Sequence, residues 1–370
     1  MTTVFDPFDL GGRRLANRIV MAPMSRSRAY GPAACPSPSA ALYYTQRAGA
    51  GLIVSEGIQP TAAARGYDAT PGLHTQAQVA AWRAVTGAVH DAGGTIFAQL
   101  MHAGRIGLPG LLPDGAHPVA PSPVTANASI FTREGPQACV QPRELTERQI
   151  RATIEDFAAA ARNAMAAGFD GVELHAANGF LVHQFLSDNA NLRQDAWGGS
   201  VSGRIRFAVE TLEALAAAVG QDRVGLQISP GNPYNDIAEA DQHTVYPALV
   251  GALEGSGLGY LSVAEGPDRE LTLRLREKWP GAFMLNPFTT GRPTGIEDLH
   301  LVEDGTADLL SFGSLFLANP DLPRRLARGG PFNAPDPATF YGGSDHGYTD
   351  YPPLDEPDGR AAPRPASVRP

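Results

Sequence analysis

A histidine and an asparagine at the end of a short apolar run are the residues of this sequence best suited to chemistry. His175 and Asn178 are three residues apart, and the run that leads into them, Gly171 to Ala177, has the length of a buried strand. Both side chains can be neutral hydrogen-bonding groups, so together they can bind and polarise one carbonyl or phenolic oxygen. Phe180, two residues further on, has no proton to give. The pattern predicts an oxygen-binding site without an adjacent acid.

Eight short apolar runs predict the framework that positions this pair. They are Ile19 to Met24, Gly51 to Gly57, Thr95 to Leu100, Gly171 to Ala177, Val224 to Ser229, Tyr260 to Glu265, Ala282 to Pro287 and Leu309 to Ser314. Helical periodicity lies between them, as in Thr146 to Gly168, where Thr146 and Gln149 have the spacing of a capping box. Alternating strands and helices are typical of α/β folds, and we predict one (β/α)8 TIM barrel over residues 1–340.

Two segments depart from the regular alternation. Residues 101–145 are rich in glycine and proline and are too long for a simple strand-to-helix turn. We interpret them as a lid-like excursion after the third strand, at the end of the barrel where active sites lie. Residues 341–370 are predicted to be a C-terminal tail that is partly disordered, because aspartate and proline dominate its later part.

Composition excludes several classes of partner. The formal net charge is −9 and no basic run follows the pattern of a nucleic-acid site. No stretch reaches the roughly 18 apolar residues of a membrane span, and the amino terminus lacks the pattern of a secretion signal, so we expect a cytoplasmic protein. Cys35 and Cys139 are far apart and have no metal-ligand spacing around them, which predicts no metal site. A homo-oligomer stays possible.

Several motifs together resemble the old yellow enzyme family of FMN-dependent ene-reductases. They are Asn17 to Met24, Gln99 to Arg105, Gly168 to Asn189, Trp197 to Ser200, Asn319 to Leu322, Phe340 to Gly343 and Gly347 to Pro352. The resemblance covers nearly the whole chain and is more specific than any single short motif. It implies a (β/α)8 barrel with flavin at the carboxyl ends of the strands and the substrate stacked over it.

The resemblance also assigns residues to the flavin ring. Pro23 and Ser25 match the positions beside flavin N5 and O4, with Ser25 replacing a more usual threonine or cysteine. Gln99 matches the amide that faces the pyrimidine edge. His175 and Asn178 match the pair that receives the oxygen of the substrate.

Other matched positions have changed. Phe180 stands where the family has its proton donor, and Gln227 replaces an arginine that faces the flavin N1/O2 edge. Ser314 replaces an arginine of the phosphate site, and Asn286-Pro287-Phe288 replaces paired glycines, so that one backbone N–H is absent. Tyr341 matches an aromatic residue that lines the substrate pocket.

These changes lead to three alternative functions. Each lost charge-assisted hydrogen bond is worth roughly 1.5–3 kcal/mol, so we expect FMN binding to be weakened by orders of magnitude. Our first hypothesis is a flavin-independent, redox-neutral cyclase or isomerase, with a pericyclic [4+2]-type closure as one form of that reaction. It would act on a bulky, largely apolar enone or polyketide-like intermediate of specialised metabolism, whose oxygen His175 and Asn178 polarise. The alternatives are an FMN-dependent NAD(P)H ene-reductase, which Arg292 could support by binding the phosphate, and a non-catalytic binding protein.

Overall fold

Eight parallel strands close into a barrel, which confirms the predicted fold class. The computed structural model describes residues 2–31 and 33–354. The barrel strands, numbered here in chain order, are Ile19–Met21, Leu52–Val54, Ile96–Leu100, Gly171–Ala176, Val224–Ile228, Tyr260–Ala264, Ala282–Asn286 and Leu309–Phe312. Each strand pairs with the next, and the eighth pairs with the first, with Leu310 opposite Ile19. The strands are slightly shorter than the predicted runs.

Helices cover the outside of the barrel, as predicted, with small shifts at their ends. The longer ones are Gln76–Asp91, Glu147–Ala166, Val201–Val219, Gln242–Ala252 and Arg269–Lys278. The predicted capping box is present: the Thr146 hydroxyl accepts from the backbone of Gln149, and the Gln149 side chain accepts from the backbone of Thr146. Shorter helices, which periodicity did not predict, are Ser39–Thr45, Leu181–Leu186, His300–Glu303, Ser314–Ala318 and Leu322–Arg328.

Apolar side chains fill the amino-terminal end of the barrel. A cluster there includes Val20, Leu52, Phe97 and Met284, each at most 1% exposed. A short hairpin made of the strands Phe8–Leu10 and Arg13–Leu15 contributes further side chains to the same cluster. This end is therefore closed, and polar side chains that project into the barrel have access only toward the carboxyl ends of the strands.

The excursion after the third strand packs against the site predicted from sequence. It contains a hairpin of Ser129–Thr132 with Gly135–Ala138, and its apolar side chains share a buried cluster with Phe180. The guanidinium of Arg105, which is fully buried, donates to the carbonyl oxygens of Asn235 and Asp236 at 3.3 and 2.7 Å. The start of the excursion is thereby tied to the loop that follows the fifth strand.

The segment after residue 339 folds back on the loop that follows the first strand. Arg26 donates to the carbonyl oxygens of Phe340 and Gly347, each at 2.9 Å, and the backbone N–H of Gly342 donates to Arg26 in return. The ring of Tyr348 stacks on Tyr43 with centroids 4.2 Å apart. Residues 355–370, the part of the predicted tail richest in proline, lie outside the described residues. No helix of the described part is long and apolar enough to cross a membrane.

Candidate active site

His175 lies near the end of the fourth strand and is a neutral, buried imidazole. Its side chain is directly opposite Gln227 of the fifth strand, and the residue is 4% exposed. Burial, with a smaller effect of His183, lowers the pKa of His175 to about 3, because a charged ring is poorly solvated there. The Nδ1 atom is buried and has no hydrogen-bond partner among the described residues. The ring therefore has an unused nitrogen for a ligand.

Asn178 lies on a tight turn that the loop after the fifth strand holds in place. Its backbone has φ +54°, a left-handed conformation that asparagine tolerates better than most residues. The Asn178 N–H donates to Ser229 Oγ at 2.8 Å, and Asn235 Nδ2 donates to the Asn178 carbonyl at 2.8 Å. Asn232 Nδ2 donates to Asn178 Oδ1 at 3.0 Å. Since Oδ1 is engaged, the amide is oriented with its Nδ2 donors available to a ligand.

The next residue of the turn, Gly179, is also fixed. It has φ +74°, and a Cβ there would lie 2.6 Å from the carbonyl oxygen of Tyr234. Its N–H donates to Nδ1 of the fully buried His183 at 3.0 Å, so the proton of that imidazole is on Nε2. Nε2 lies 3.2 Å from Glu239 and 3.0 Å from the hydroxyl of Tyr246. A buried polar cluster thus supports the turn from beneath.

Phe180, which sequence comparison matched to a proton-donor position, is buried beside His175. It is 6% exposed, its ring centroid is 5.1 Å from that of His175, and Tyr67 meets it edge-on at 6.1 Å. Sequence reasoning missed Tyr67. Burial raises the pKa of Tyr67, whose hydroxyl interacts with Tyr234 and Asn235. Tyr67 follows the second strand and so lies at the carboxyl end of the barrel, and this position could have identified it from the sequence as a candidate site residue.

Tyr341 is a rim residue. It is 69% exposed, and its pKa is raised by partial burial and, to a smaller extent, by Tyr234, which is 55% exposed. The contacts of Arg26 with the segment around Phe340 bring Tyr341 to the same mouth as Pro23 and Ser25, both of which are half-buried. These aromatic residues give the mouth an apolar rim.

Gln99 and Gln227 form an amide pair at the polar floor of this mouth. They lie on the third and fifth strands, 3% and 7% exposed, and Gln99 Nε2 donates to Gln227 Oε1 at 2.9 Å. Gln99 also donates to Oε1 of the buried Glu173 at 2.8 Å. An amide pair of this kind offers both an acceptor and a donor, which is the complement of a heterocyclic edge that carries N–H and C=O groups.

The residues matched to the phosphate site are engaged elsewhere or neutral. Ser314 begins the short helix Ser314–Ala318. The N–H of Phe288 donates to Glu265 at 2.9 Å, and Glu265 is paired with Arg269. The guanidinium of Arg292 is bound to both carboxylate oxygens of Asp298 at 2.6 and 2.7 Å, so part of its charge and two of its donors are already used. The residues present thus fit a flavin ring better than they fit its phosphate.

Comparisons with known proteins show which family the chain is similar to. Residues 3–333 match the NADH:flavin oxidoreductase / NADH oxidase family. A probable flavin mononucleotide-dependent alkene reductase of Leishmania infantum is 40% identical over 356 residues, covering 94% of this chain and 96% of that protein. 12-Oxophytodienoate reductase 1 of Oryza sativa subsp. japonica is 39% identical over 365 residues, covering 95% and 93%. Morphinone reductase in complex with tetrahydroNAD superposes with a TM-score of 0.91 at 39% identity, covering 98% of this chain and all of that one.

The closed barrel and the polar groups at its open end define a (β/α)8 enzyme for small-molecule substrates. The chain belongs to the NADH:flavin oxidoreductase / NADH oxidase family, the old yellow enzyme family of FMN-dependent ene-reductases.

The hypothesis of a flavin-independent cyclase or isomerase is wrong. The Leishmania relative is an FMN-dependent alkene reductase by name and the other two are reductases by name, and all three match this chain over nearly its full length. The changes at Gln227, Ser314 and residues 286–288 are therefore compatible with membership of a flavin-dependent family. Each lost charge-assisted bond is worth roughly 1.5–3 kcal/mol, and a ligand held by many neutral contacts can tolerate the loss of a few of them.

Proposed function

We propose that this chain is an FMN-dependent NAD(P)H ene-reductase that acts on alkenes activated by a carbonyl group. The observation that carries the proposal is the pairing of a neutral His175, with an unused ring nitrogen, and an Asn178 amide whose Oδ1 is already bound by Asn232. Both side chains can then donate to one substrate oxygen without bringing a positive charge. The withdrawal of electrons toward that oxygen activates the conjugated double bond.

The residues around the site support the cofactor as well as the substrate. Gln99 and Gln227 would face the pyrimidine edge of FMN, and Pro23 and Ser25 would lie beside its N5 and O4 region. Bound FMN would supply two-electron chemistry between NAD(P)H and the alkene. The phosphate would be held mainly by neutral groups, since Arg292 is bound to Asp298.

The aromatic rim favours a flat, largely apolar carbonyl compound as substrate. Tyr67, Phe180, Tyr234 and Tyr341 contribute ring surface near the mouth. The reduction adds one hydride and one proton to the alkene. The two electrons of the hydride come from NAD(P)H, which is oxidised, and the proton must come from another donor. Phe180 cannot supply it, so we propose that it comes from water.

The test begins with the colour of the purified protein. We expect the purified protein to show the flavin absorption bands and to release FMN on denaturation. It should also oxidise one NADH or NADPH for each 2-cyclohexenone whose carbon–carbon double bond it reduces. The His175→Ala, Asn178→Ala double variant is the matched control: it should retain flavin but lose turnover of the enone. Protein that binds no FMN when FMN is added, and that oxidises neither nicotinamide, would refute the proposal.

A further inference from the structure

A buried glutamate lies beneath the amide pair. Glu173 is 0% exposed and projects into the barrel from the fourth strand, directly opposite Gln99 of the third strand. Its Oε1 accepts from Gln99 Nε2 at 2.8 Å, and its Oε2 accepts from the hydroxyl of Tyr260 at 2.9 Å. These groups reach the carboxyl from the third and sixth strands, and neither is a cation. The proposed catalytic step makes no use of Glu173.

The packing around Glu173 makes this arrangement specific. Gly225 of the fifth strand is paired with Glu173, and a Cβ at Gly225 would overlap the ring of Tyr260. The missing side chain therefore gives the Tyr260 ring the space from which its hydroxyl reaches the carboxyl. Tyr260 is itself fully buried, so the carboxyl and phenol form a closed unit under Gln99.

Counting hydrogens shows what this unit does to the two amides above it. Gln99 Nε2 carries two hydrogens, and both are used, one by Glu173 and one by Gln227. The atom of Gln99 that is left for a ligand is Oε1, an acceptor. Gln227 accepts through its Oε1, so the atom that it has left is Nε2, a donor. Without Glu173, the contact with Gln227 would be the remaining restraint on the Gln99 amide among the described residues, and the two amides could turn by 180° together.

We propose that Glu173 is a positioning residue for flavin recognition: by binding Gln99 Nε2 it commits Gln99 to accept from, and Gln227 to donate to, the pyrimidine edge of the flavin. The inference rests on the proposed function, because it assigns a role toward FMN. The acceptor of Gln99 suits the N3–H group of the flavin, and the donor of Gln227 suits a ring carbonyl. The neutral amide of Gln227 can donate to that carbonyl only when its NH₂ group, and not its oxygen, faces the flavin.

The direct test compares FMN with FMN methylated at N3, in titrations that follow the flavin absorption and fluorescence. Methylation removes the one donor of the pyrimidine edge. Wild-type protein should bind FMN at least tenfold more tightly than the methylated form, which corresponds to one hydrogen bond. In Glu173→Leu the Gln99 amide is free to turn, so the preference should fall to less than threefold and FMN affinity should fall by about tenfold.

Two further variants separate orientation from general loss of structure. In Glu173→Gln the new amide can present its oxygen to Gln99 and its nitrogen to Tyr260. This variant should therefore show the wild-type preference for FMN over the methylated form. Tyr260→Phe removes the other partner of the same carboxyl and leaves the acceptor for Gln99 in place, so FMN affinity should stay within about twofold. The reduction potential of bound FMN, measured by spectroelectrochemistry, should move in Glu173→Leu and not in Glu173→Gln.

The outcomes distinguish this inference from the function on which it rests. Wild-type protein that binds no FMN would defeat the proposed function. Wild-type protein that binds FMN but does not prefer it to the methylated form would overturn the inference, even if Glu173→Leu fails to fold. Equal preference in wild type and a folded Glu173→Leu would also overturn it.

Discussion

Replacing Asn178 by aspartate tests the oxygen-binding pair with little change in shape. Aspartate tolerates the φ of +54° and can still accept from Asn232 Nδ2, Asn232 being 3.0 Å from Oδ1. The Ser229 and Asn235 contacts involve only the backbone of residue 178, so they persist. The substitution therefore keeps the shape of the side chain, but an NH₂ donor that faces the substrate oxygen becomes an oxygen that cannot donate, and the carboxylate adds a negative charge at the same place.

The size of the effect follows from two contributions. Loss of a neutral hydrogen bond to the substrate oxygen costs roughly 0.5–1.5 kcal/mol, and an acceptor forced against another acceptor adds about 1–3 kcal/mol. Their sum, about 1.5–4.5 kcal/mol, corresponds to a decrease of roughly 10- to 2000-fold in kcat/KM. We expect Asn178→Asp to show this decrease with 2-cyclohexenone in steady-state assays.

Reduction of the flavin by NAD(P)H and the thermal unfolding temperature serve as internal controls, and the unfolding temperature should change little. Asn232→Ala should give a smaller decrease, of roughly two- to tenfold, because the Asn178 amide loses its orientation but keeps its donor. If Asn178→Asp retains kcat/KM within threefold of wild type, the substrate oxygen does not bind at this amide.

Three other predictions follow from single features of the site. Phe180→Tyr places a phenol next to His175, so reoxidation of the reduced protein by an enone should accelerate by up to about 10²-fold while reduction by NAD(P)H is unchanged; equal reoxidation rates in stopped-flow measurements would contradict a missing proton donor. With its pKa near 3, His175 stays neutral above that pH, so the dissociation constant of the enone should not change between pH 5 and 8. A change that is present in wild type and absent in His175→Gln would contradict this. Burial raises the pKa of Glu173 from 4.5 to about 7; the folded state then binds its proton more tightly than the unfolded state, and stability is lost as pH rises from about 4.5 to 7. The unfolding temperature of Glu173→Gln relative to wild type should therefore be higher at pH 8 than at pH 5, and a constant difference would refute the assignment.

The sequence was sufficient for the barrel because the alternation of short apolar runs and amphipathic helices is a local pattern. The capping box at Thr146 and Gln149 was visible for the same reason. His175 and Asn178, the proposed oxygen-binding pair, could be selected from the sequence because they belong to one strand and its turn.

Contacts between distant segments could not be predicted. Ser229, Asn232 and Asn235 hold Asn178 from a different loop, and no spacing in the sequence relates them to it. Glu173 did have a signal, since an acid between Val172 and Leu174 in a buried strand requires a partner. That partner, Gln99, is 74 residues away in the sequence. Only the register of the barrel strands brings the two residues together.

The interlocking of the turn at Asn178 with the loop after the fifth strand has a consequence for exchanging parts between relatives. Contacts with residues 229–236 fix the conformation of residues 175–180. A graft of either segment alone would therefore lose the contacts that the other segment supplies. Chimaeras that aim to alter substrate choice should transplant both segments together, and variation in one is constrained by what the other contains.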